Sequence, residues 1–489
     1  MMSERPKIFF YTGIIIILGF SLYFLLIFDL LESFFLIVSF LMLVLAIAQY
    51  FFGNPVASQV NSNKNTEDFP FVSIHLAICN EPPEMVINTL RTALKVDYPN
   101  YEIIVLDNNT SKKSLWEPVR DFCDHHSEVI KFLHFDHLSG YKAGALNECL
   151  HLTDENAKYI LTLDADYQLL PNSLNLAVNG FQGDNLAVLQ FPQHYENNRS
   201  QSGLLRELEH FFRLYANSGN KTLSTLPTGT LSFIKRDALL EVGGWPEETL
   251  TEDARLGLEF LRKDYRLKYS SHRIGKGIMP YSISDLRKQR NRWSYGNAQC
   301  VSALFDMRMN WKCRISACLQ LLSWINLLAI PILGSFLLIG LTLFDSPTDY
   351  GNTGSLILLQ FGIYVTGKFF LLLKGSNRKT VSSDIKAYFI HLGLSCEMAF
   401  ACWSAFFKVP QSFIRTSKTK SRTQYFSIPV LIPLILGLLM SLFFYQEEYY
   451  KAMVSLGLFA LFLISSLYMF FEFQPVTKSI QPKLKTLTS

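Results

Sequence analysis

Two kinds of apolar pattern alternate along this chain. From Ile8 to Phe28 and from Ser33 to Phe52 the apolar residues run nearly unbroken for the length of a bilayer span, joined by a short link that holds Asp29 and Glu32. This predicts a helical hairpin. Polar, turn-rich Gln59 to Asp68 follows, and then the apolar runs shorten and become punctuated. Phe71 to Cys79, Glu102 to Leu106, Val129 to His134 and Tyr159 to Leu163 read as strands. Helical patterns separate them after Pro82-Pro83, near Trp116 and from Ala143 to His151. Strands alternating with crossover helices predict an α/β domain with a mostly parallel sheet, running to about Asn310.

Long apolar runs then return at Ser316 to Phe344, Ser355 to Leu373, Ile428 to Tyr445 and Met453 to Phe471. Ala387 to Phe407 is also apolar, but it contains His391 and Glu397 and has basic segments on both sides, so it is expected to be interfacial or re-entrant. The expectation is six spans arranged as residues 1–58 (hairpin), 59–310 (catalytic domain), 311–374 (two spans), 375–425 (interfacial helix and loop) and 426–489 (two spans and a basic tail). Arg5 and Lys7 precede the first run, whereas the links at 29–32, 345–354 and 446–448 hold acids and no Lys or Arg. The basic excess places both termini and the α/β domain on the cytoplasmic side of a plasma (inner) membrane. The first run has no small-residue cleavage site and is read as a retained span.

Composition agrees with a divided protein: 489 residues, 49% hydrophobic, with 40 Phe, exceed what a water-soluble domain of that size carries. The net charge of +4 gives no support for a nucleic-acid partner. Eight cysteines without C-x-x-C or zinc spacing read as reduced and buried.

Candidate chemistry gathers at the predicted strand ends. Asp164-Ala165-Asp166 follows the fourth strand, where open α/β sheets place their ligands, and two carboxylates one residue apart make a hard oxygen site suited to Mg2+ or Mn2+. An isolated Asp-x-Asp is more often a turn cap beside a solvated acid, so the pair needs company from other segments. Asn80-Glu81 and Asp107-Asn108-Asn109 end two other strands at the same edge. Gly140 to Asn147 is a glycine-bearing turn opening a helix, with Lys142 available to a diphosphate. Thr251-Glu252-Asp253 begins a helix for which Thr251 is the expected cap. On a later helix, Gln289, Arg292 and Trp293 are spaced to share adjoining surface, with an arginine able to hold phosphate and an indole able to stack on a sugar.

Asp107, Asp164-x-Asp166, Thr251-Glu252-Asp253 and Gln289-x-x-Arg292-Trp293, in this order and between membrane runs, resemble the membrane-integrated family 2 glycosyltransferases, among them cellulose, hyaluronan and β-glucan synthases. The resemblance implies a GT-A catalytic domain that inverts a sugar from a nucleotide-sugar donor onto an acceptor hydroxyl. It implies that Glu81 and Asp107 contact the nucleoside, Lys142, Gln289 and Arg292 the donor diphosphate, and Asp164 and Asp166 the nucleotide and metal. Asp253, beside Glu252, would be the general base, and Trp293 with Thr228-Gly229-Thr230 would bind the acceptor. Gln190-Phe191-Pro192-Gln193 is similar to a second acceptor segment of the family.

Phe413-Ile-Arg-Thr416-Ser-Lys418 resembles the gating loop of cellulose synthases, with Arg415 in place of valine. Ile78-Cys79 and Asn108 stand where many relatives have Thr-Tyr and a second Asp. The expected product is a growing β-glycan made from UDP-glucose and passed across the membrane, with membrane lipids and a possible export subunit as partners. Trp324, Asn326, Trp403 and Ser404 are candidates to line the path or, equally, to pack helices. The alternatives are transfer of one sugar to a lipid acceptor, as in ceramide glucosyltransferase, and a silent export scaffold, which the retained acids disfavour.

Overall fold

The computed structural model describes residues 30–55, 69–195, 202–280, 282–306, 308–343, 351–411 and 430–473. The expected span at 8–28, the linker at 59–68 and the gating-like Phe413, Thr416 and Lys418 lie outside them. In chain order the elements are α1 (Leu30–Phe52), β1 (Val72–Ile78), α2 (Pro83–Ala93), β2 (Tyr101–Asn108), α3 (Lys113–Asp124), β3 (Ile130–Phe135), α4 (Tyr141–Leu152), β4 (Tyr159–Thr162), β5 (Tyr167–Leu169), α5 (Ser173–Gly180) and β6 (Leu186–Gln190). There follow α6 (Ser202–Leu208), β7 (Ser232–Lys235), α7 (Arg236–Glu241), α8 (Glu252–Arg262), β8 (Arg266–Tyr269), β9 (Gly275–Gly277) and α9 (Ile283–Asp306). The apolar part comprises α10 (Trp311–Leu321), α11 (Ala329–Leu343), α12 (Gly351–Leu373), α13 (Val381–Phe406), α14 (Leu431–Tyr445) and α15 (Tyr449–Phe473).

The sheet order is β3-β2-β1-β4-β7-β6-β8. β1 pairs in parallel with β2 and β4, and β2 with β3, whereas β7 runs antiparallel to β4 and β6. Central parallel strands are covered on both faces and are mostly apolar, so Val72, Ile74, Leu76, Ile103, Ile104 and Val105 are all buried, as are the polar Ser73 and His75 of β1. The chain builds outward from β1 to β3 and then returns across β1 to β4. That reversal opens a crevice at the carboxyl ends of β1 and β4. A two-stranded antiparallel sheet, β5 with β9, forms beside it. This is the GT-A type fold with a mostly parallel sheet that the strand pattern and the motif resemblance together predict.

The helical part departs from expectation in three places. The predicted third span is broken: α10 with its terminal turn at Leu322–Trp324 meets α11 at 50°. Asn326 stabilises the break, its amide donating to the Ser395 carbonyl at 2.9 Å while its oxygen accepts from the Leu328 backbone N–H at 3.1 Å. The predicted interfacial segment is one continuous 26-residue helix, α13, long and apolar enough to cross a membrane. It packs against α6 and α9 of the α/β domain as well as against α12 and α15, so its polar residues face protein. Among the described residues four helices are long and apolar enough to span, or five if the bent pair is one span; α14 has 15 residues, fewer than a span requires. These helices flank the catalytic domain of a membrane protein.

Buried charge joins the two parts. Arg206 of α6 donates to Asp384 of α13 at 2.6 Å, and Glu472 of α15 accepts the backbone N–H groups of Gly203 and Leu204, satisfying donors at the start of α6.

Candidate active site

The crevice at the β1/β4 reversal is a cavity of about 430 Å³, the size of a small-molecule site. Its wall includes Glu81, Lys142, Asp164, Asp166, Thr228, Gly229, Glu252, Asp253, Gln289, Arg292 and Trp293, so eleven site residues predicted from separate segments converge on one space.

Each is held by identifiable local structure. Asp164 leaves β4 with its backbone N–H donated to the Thr230 hydroxyl at 3.0 Å. Thr230 is fully buried and does not line the cavity; it supports the strand end instead. Gln190 shapes the 228–232 turn from beneath: its amide nitrogen donates to the Thr230 carbonyl, and its oxygen accepts from the Thr228 N–H and the Ser232 hydroxyl. Gln193 donates to the Thr228 carbonyl at 2.9 Å. At the tip of the turn Gly229 has φ +78°, and an added Cβ would lie 3.0 Å from Asp253 Oδ2. Only glycine suits both that conformation and that approach.

Lys142 stands in the first turn of α4, whose start is set by Gly140 at φ 77°. Its ammonium donates to Asp164 Oδ1 at 2.5 Å and to the Gly229 carbonyl at 3.0 Å, with Glu252 Oε1 3.8 Å away. Burial acts against its charge, but Asp164, Glu252 and Asp253 outweigh burial and raise its pKa above the ordinary lysine value. The cation is therefore charged and placed among the acids.

Asp253, in the first turn of α8, accepts the Ala254 N–H at 2.7 Å. Burial, and next the negative Glu252 beside it, push its pKa up to about 7. A carboxylate poised near neutrality is suited to exchange a proton. Thr251 precedes α8, but contrary to expectation its hydroxyl makes no cap bond; it lies 3.7 Å from Cys300 Sγ. Gly296 of α9 packs so closely on Thr251 that a Cβ there would come within 2.6 Å of it, and this contact takes the side chain away from the helix start.

Asp107 does not line the cavity. Its buried carboxylate accepts from Thr110 and from His134 Nδ1, both at 2.7 Å, and His134 stacks on Trp116 at 4.0 Å. Thr110 in turn accepts the Asn80 N–H, so Asp107 braces the edge that carries Glu81. Asn108 donates to the Tyr141 carbonyl at 3.1 Å, a bond that a carboxylate at this position could not make.

A second, smaller pocket of about 50 Å³ adjoins the first and shares Gln193, Thr228, Thr251, Asp253 and Trp293 with it. Its remaining wall is largely apolar and includes the aromatic side chains Phe211, Phe212 and Trp324. Trp324 sits edge-on to Trp293 with centroids 5.0 Å apart and stacks on Phe211 at 5.4 Å. Beneath the two indoles lies the fully buried guanidinium of Arg290, paired with Glu207 of α6, which His391 of α13 also approaches at 3.5 Å. Burial opposes ionisation of Glu207, but Arg290 and the histidines hold its pKa down to about 2. Burial leaves His210 neutral, at about 3.

No element was expected at residues 202–216 and no role for Glu207 or the Phe211-Phe212 pair. The only signal was an acid and a histidine interleaved with aromatics, which is also the composition of an ordinary surface helix.

For a divalent cation the available donors are the Asp164 and Asp166 oxygens. Among the described residues no three His, Cys, Asp or Glu side chains cluster to hold a metal unaided. One or two carboxylates completed by substrate phosphate is the coordination that Mg2+ favours, so the donor set fits a cation that arrives with its substrate.

Residues 73–243 match the model described as glycosyl transferase family 2, and residues 159–373 that described as glycosyl transferase family group 2. The chain is 29% identical over 262 residues to the UDP-forming cellulose synthase catalytic subunit of Pseudomonas fluorescens, covering 51% of this chain and 34% of that one. It is also 29% identical over 250 residues to the beta-monoglucosyldiacylglycerol synthase of Trichormus variabilis, covering 49% and 51%. Among solved structures, the mannosyltransferase PcManGT of Pyrobaculum calidifontis, in complex with GDP-Man and Mn2+, matches with a TM-score of 0.50 over 78% of this chain and 99% of that one, at 14% identity. That likeness is one of fold.

Proposed function

This chain carries a family 2 glycosyltransferase domain of the kind found in cellulose synthases, and from that premise we propose that it transfers a sugar, with inversion, from a nucleotide diphosphate sugar to the end of a growing β-glycan. UDP-glucose is the donor we assign. The observation that supports this reading is that Asp253 lines both cavities: the larger one, which we assign to the nucleotide sugar, and the smaller one beside Trp293, which we assign to the acceptor.

In this mechanism Asp253 accepts the proton of the acceptor hydroxyl as its oxygen bonds to the anomeric carbon and the bond to the diphosphate breaks. Glu252 raises the basicity of its neighbour. Lys142, Arg292 and Gln289 receive the diphosphate, with Lys142 exchanging Asp164 for phosphate oxygen, while Glu81 and the Asn108-Asn109 edge face the nucleoside. Asp164 and Asp166 would hold a Mg2+ or Mn2+, which when bound neutralises charge on the leaving group. Trp293 stacks on the terminal acceptor sugar, and Thr228 and Gly229 bound the acceptor's approach. The proposal keeps residues 59–310 as the catalytic domain, on the cytoplasmic face of the plasma membrane, with product leaving past the flanking helices, and replaces the expected interfacial helix by the span-length α13.

Similarity to a glucosyldiacylglycerol synthase supports a second reading, transfer of one sugar to a lipid acceptor. Incubating the purified full-length protein with a panel of labelled nucleotide sugars and membrane lipids tests both. A long glycan from one donor supports the first reading, a lipid bearing one sugar supports the second, and turnover of no donor rejects both.

A further inference from the structure

Away from the catalytic cavity, Lys368 of α12 is only 7% exposed, although α12 is one of the apolar span-length helices. Its ammonium has a single hydrogen-bond acceptor, Gln49 Oε1 of α1, at a long 3.4 Å. Gln49 is itself buried and oriented by donating to the Leu322 carbonyl at 2.8 Å. Among the described residues no carboxylate pairs with Lys368. Glu207, the buried acid on the far side of the Trp324 break, is taken by Arg290, and the Asn326 amide is occupied by Ser395 and Leu328. Its other neighbour is the Tyr364 ring, whose centroid is 5.9 Å from the ammonium, so among the described residues the cation has an amide oxygen and a ring beside it but no counter-charge.

Beside the ammonium is a hollow of about 30 Å³, open to the outside, between α1, α12 and the 325–327 break. A lysine near a helix end ordinarily extends to the membrane surface. This one is held inward by Gln49 while Lys374, six residues on, lies over the Tyr50 ring at 4.5 Å as interfacial lysines and tyrosines do. Six residues place the Lys368 backbone about 9 Å deeper than that level, on the acyl-chain side of the lipid phosphates, so a phosphate meets its ammonium by being drawn inward along the helix. Next to the hollow, Leu43, Val44 and Ile47 of α1 are exposed and would lie along such chains.

We propose that Lys368, with Gln49, forms a site for the phosphate of an anionic membrane lipid, which supplies the counter-charge that the protein lacks there. The inference is independent of the transferase reading, since none of these residues reaches the catalytic cavity.

The test is native mass spectrometry of the full-length protein in detergent, titrated with phosphatidylglycerol, with phosphatidylcholine and with inorganic phosphate. One retained phosphatidylglycerol per chain is expected, weakened about tenfold or more by Lys368→Met, since a charge-assisted bond is lost. Lys368→Arg and Lys374→Gln should keep it. Equal retention by Lys368→Met, equal retention of phosphatidylcholine by the unaltered protein, equal weakening by Lys374→Gln, or displacement of the lipid by millimolar inorganic phosphate would each overturn the proposal. The lipid comparisons on the unaltered chain decide the matter even if Lys368→Met does not fold.

Discussion

The guanidinium carbon of Arg290 lies 4.6 Å from the ring centroid of Trp293, so the residue two positions before the motif's arginine supports the smaller pocket from beneath and does not line the larger cavity. The same cation is 5.0 Å from the Trp324 ring. It thus underlies both indoles while its charge is met by Glu207. Arg290→Ala would leave Glu207 buried and unpaired, at a cost of about 3–5 kcal/mol. Arg290→Met with Glu207→Gln should recover most of that stability, because no lone charge remains. Thermal unfolding of the unaltered chain, Arg290→Ala and the double variant in one detergent checks this; failure of the double variant to recover would show that the pair does not compensate itself as described.

Asp253→Asn is expected to lower transfer by about 10²–10⁴-fold while UDP affinity stays near normal, because the base acts on the acceptor. With the Asp253 pKa raised to about 7, the proton-accepting form is lost as pH falls through neutrality. The rate should therefore rise from pH 6 to pH 8 and level off above. A flat profile over that range, or a loss of UDP binding equal to the loss of rate, would reassign Asp253 to a structural role.

Asp166→Ala should weaken metal-dependent UDP binding and turnover together. Calorimetry with UDP, with and without Mg2+ or Mn2+, measures the first. Full activity in excess chelator would remove the metal from the mechanism.

Gly229→Ala places a methyl group 3.0 Å from Asp253 Oδ2 at a backbone conformation of φ +78°. Strain of about 1–2 kcal/mol is expected at the turn, and because the turn adjoins Asp253 the effect should appear in kcat more than in donor affinity. An unchanged kcat would mean that the turn can shift without disturbing the acid.

Trp293→Ala removes a stacking surface from the pocket that also contains Asp253. If the product is a polymer, its length by gel or size-exclusion analysis should fall. If the protein transfers a single sugar, only the acceptor KM should move, so the same variant separates the two readings.

The residue pattern by itself determined the chemistry-bearing strand ends. Apolar runs of strand length followed by Asn80-Glu81, Asp107 and Asp164-x-Asp166 are local signals, and a parallel sheet necessarily brings the carboxyl ends of neighbouring strands to one edge. The helices bearing Asp253 and Trp293 were legible for a similar reason, as polar groups at set intervals on periodic segments. Tertiary structure alone decided which acids are free to act. Asp107 and Asp164 look alike in sequence, yet Thr110 and His134 occupy the first, while the second meets Lys142 in the cavity. The same holds for Arg290, which in the sequence is only one more basic residue between Gln289 and Arg292. It is fully buried and paired because Glu207, 83 residues earlier, is brought against it when α6 and α9 both pack on α13. Periodicity reports which face of an element is apolar, but the pairing of a buried charge depends on a partner supplied by another element, and only closure of the chain brings that partner into place.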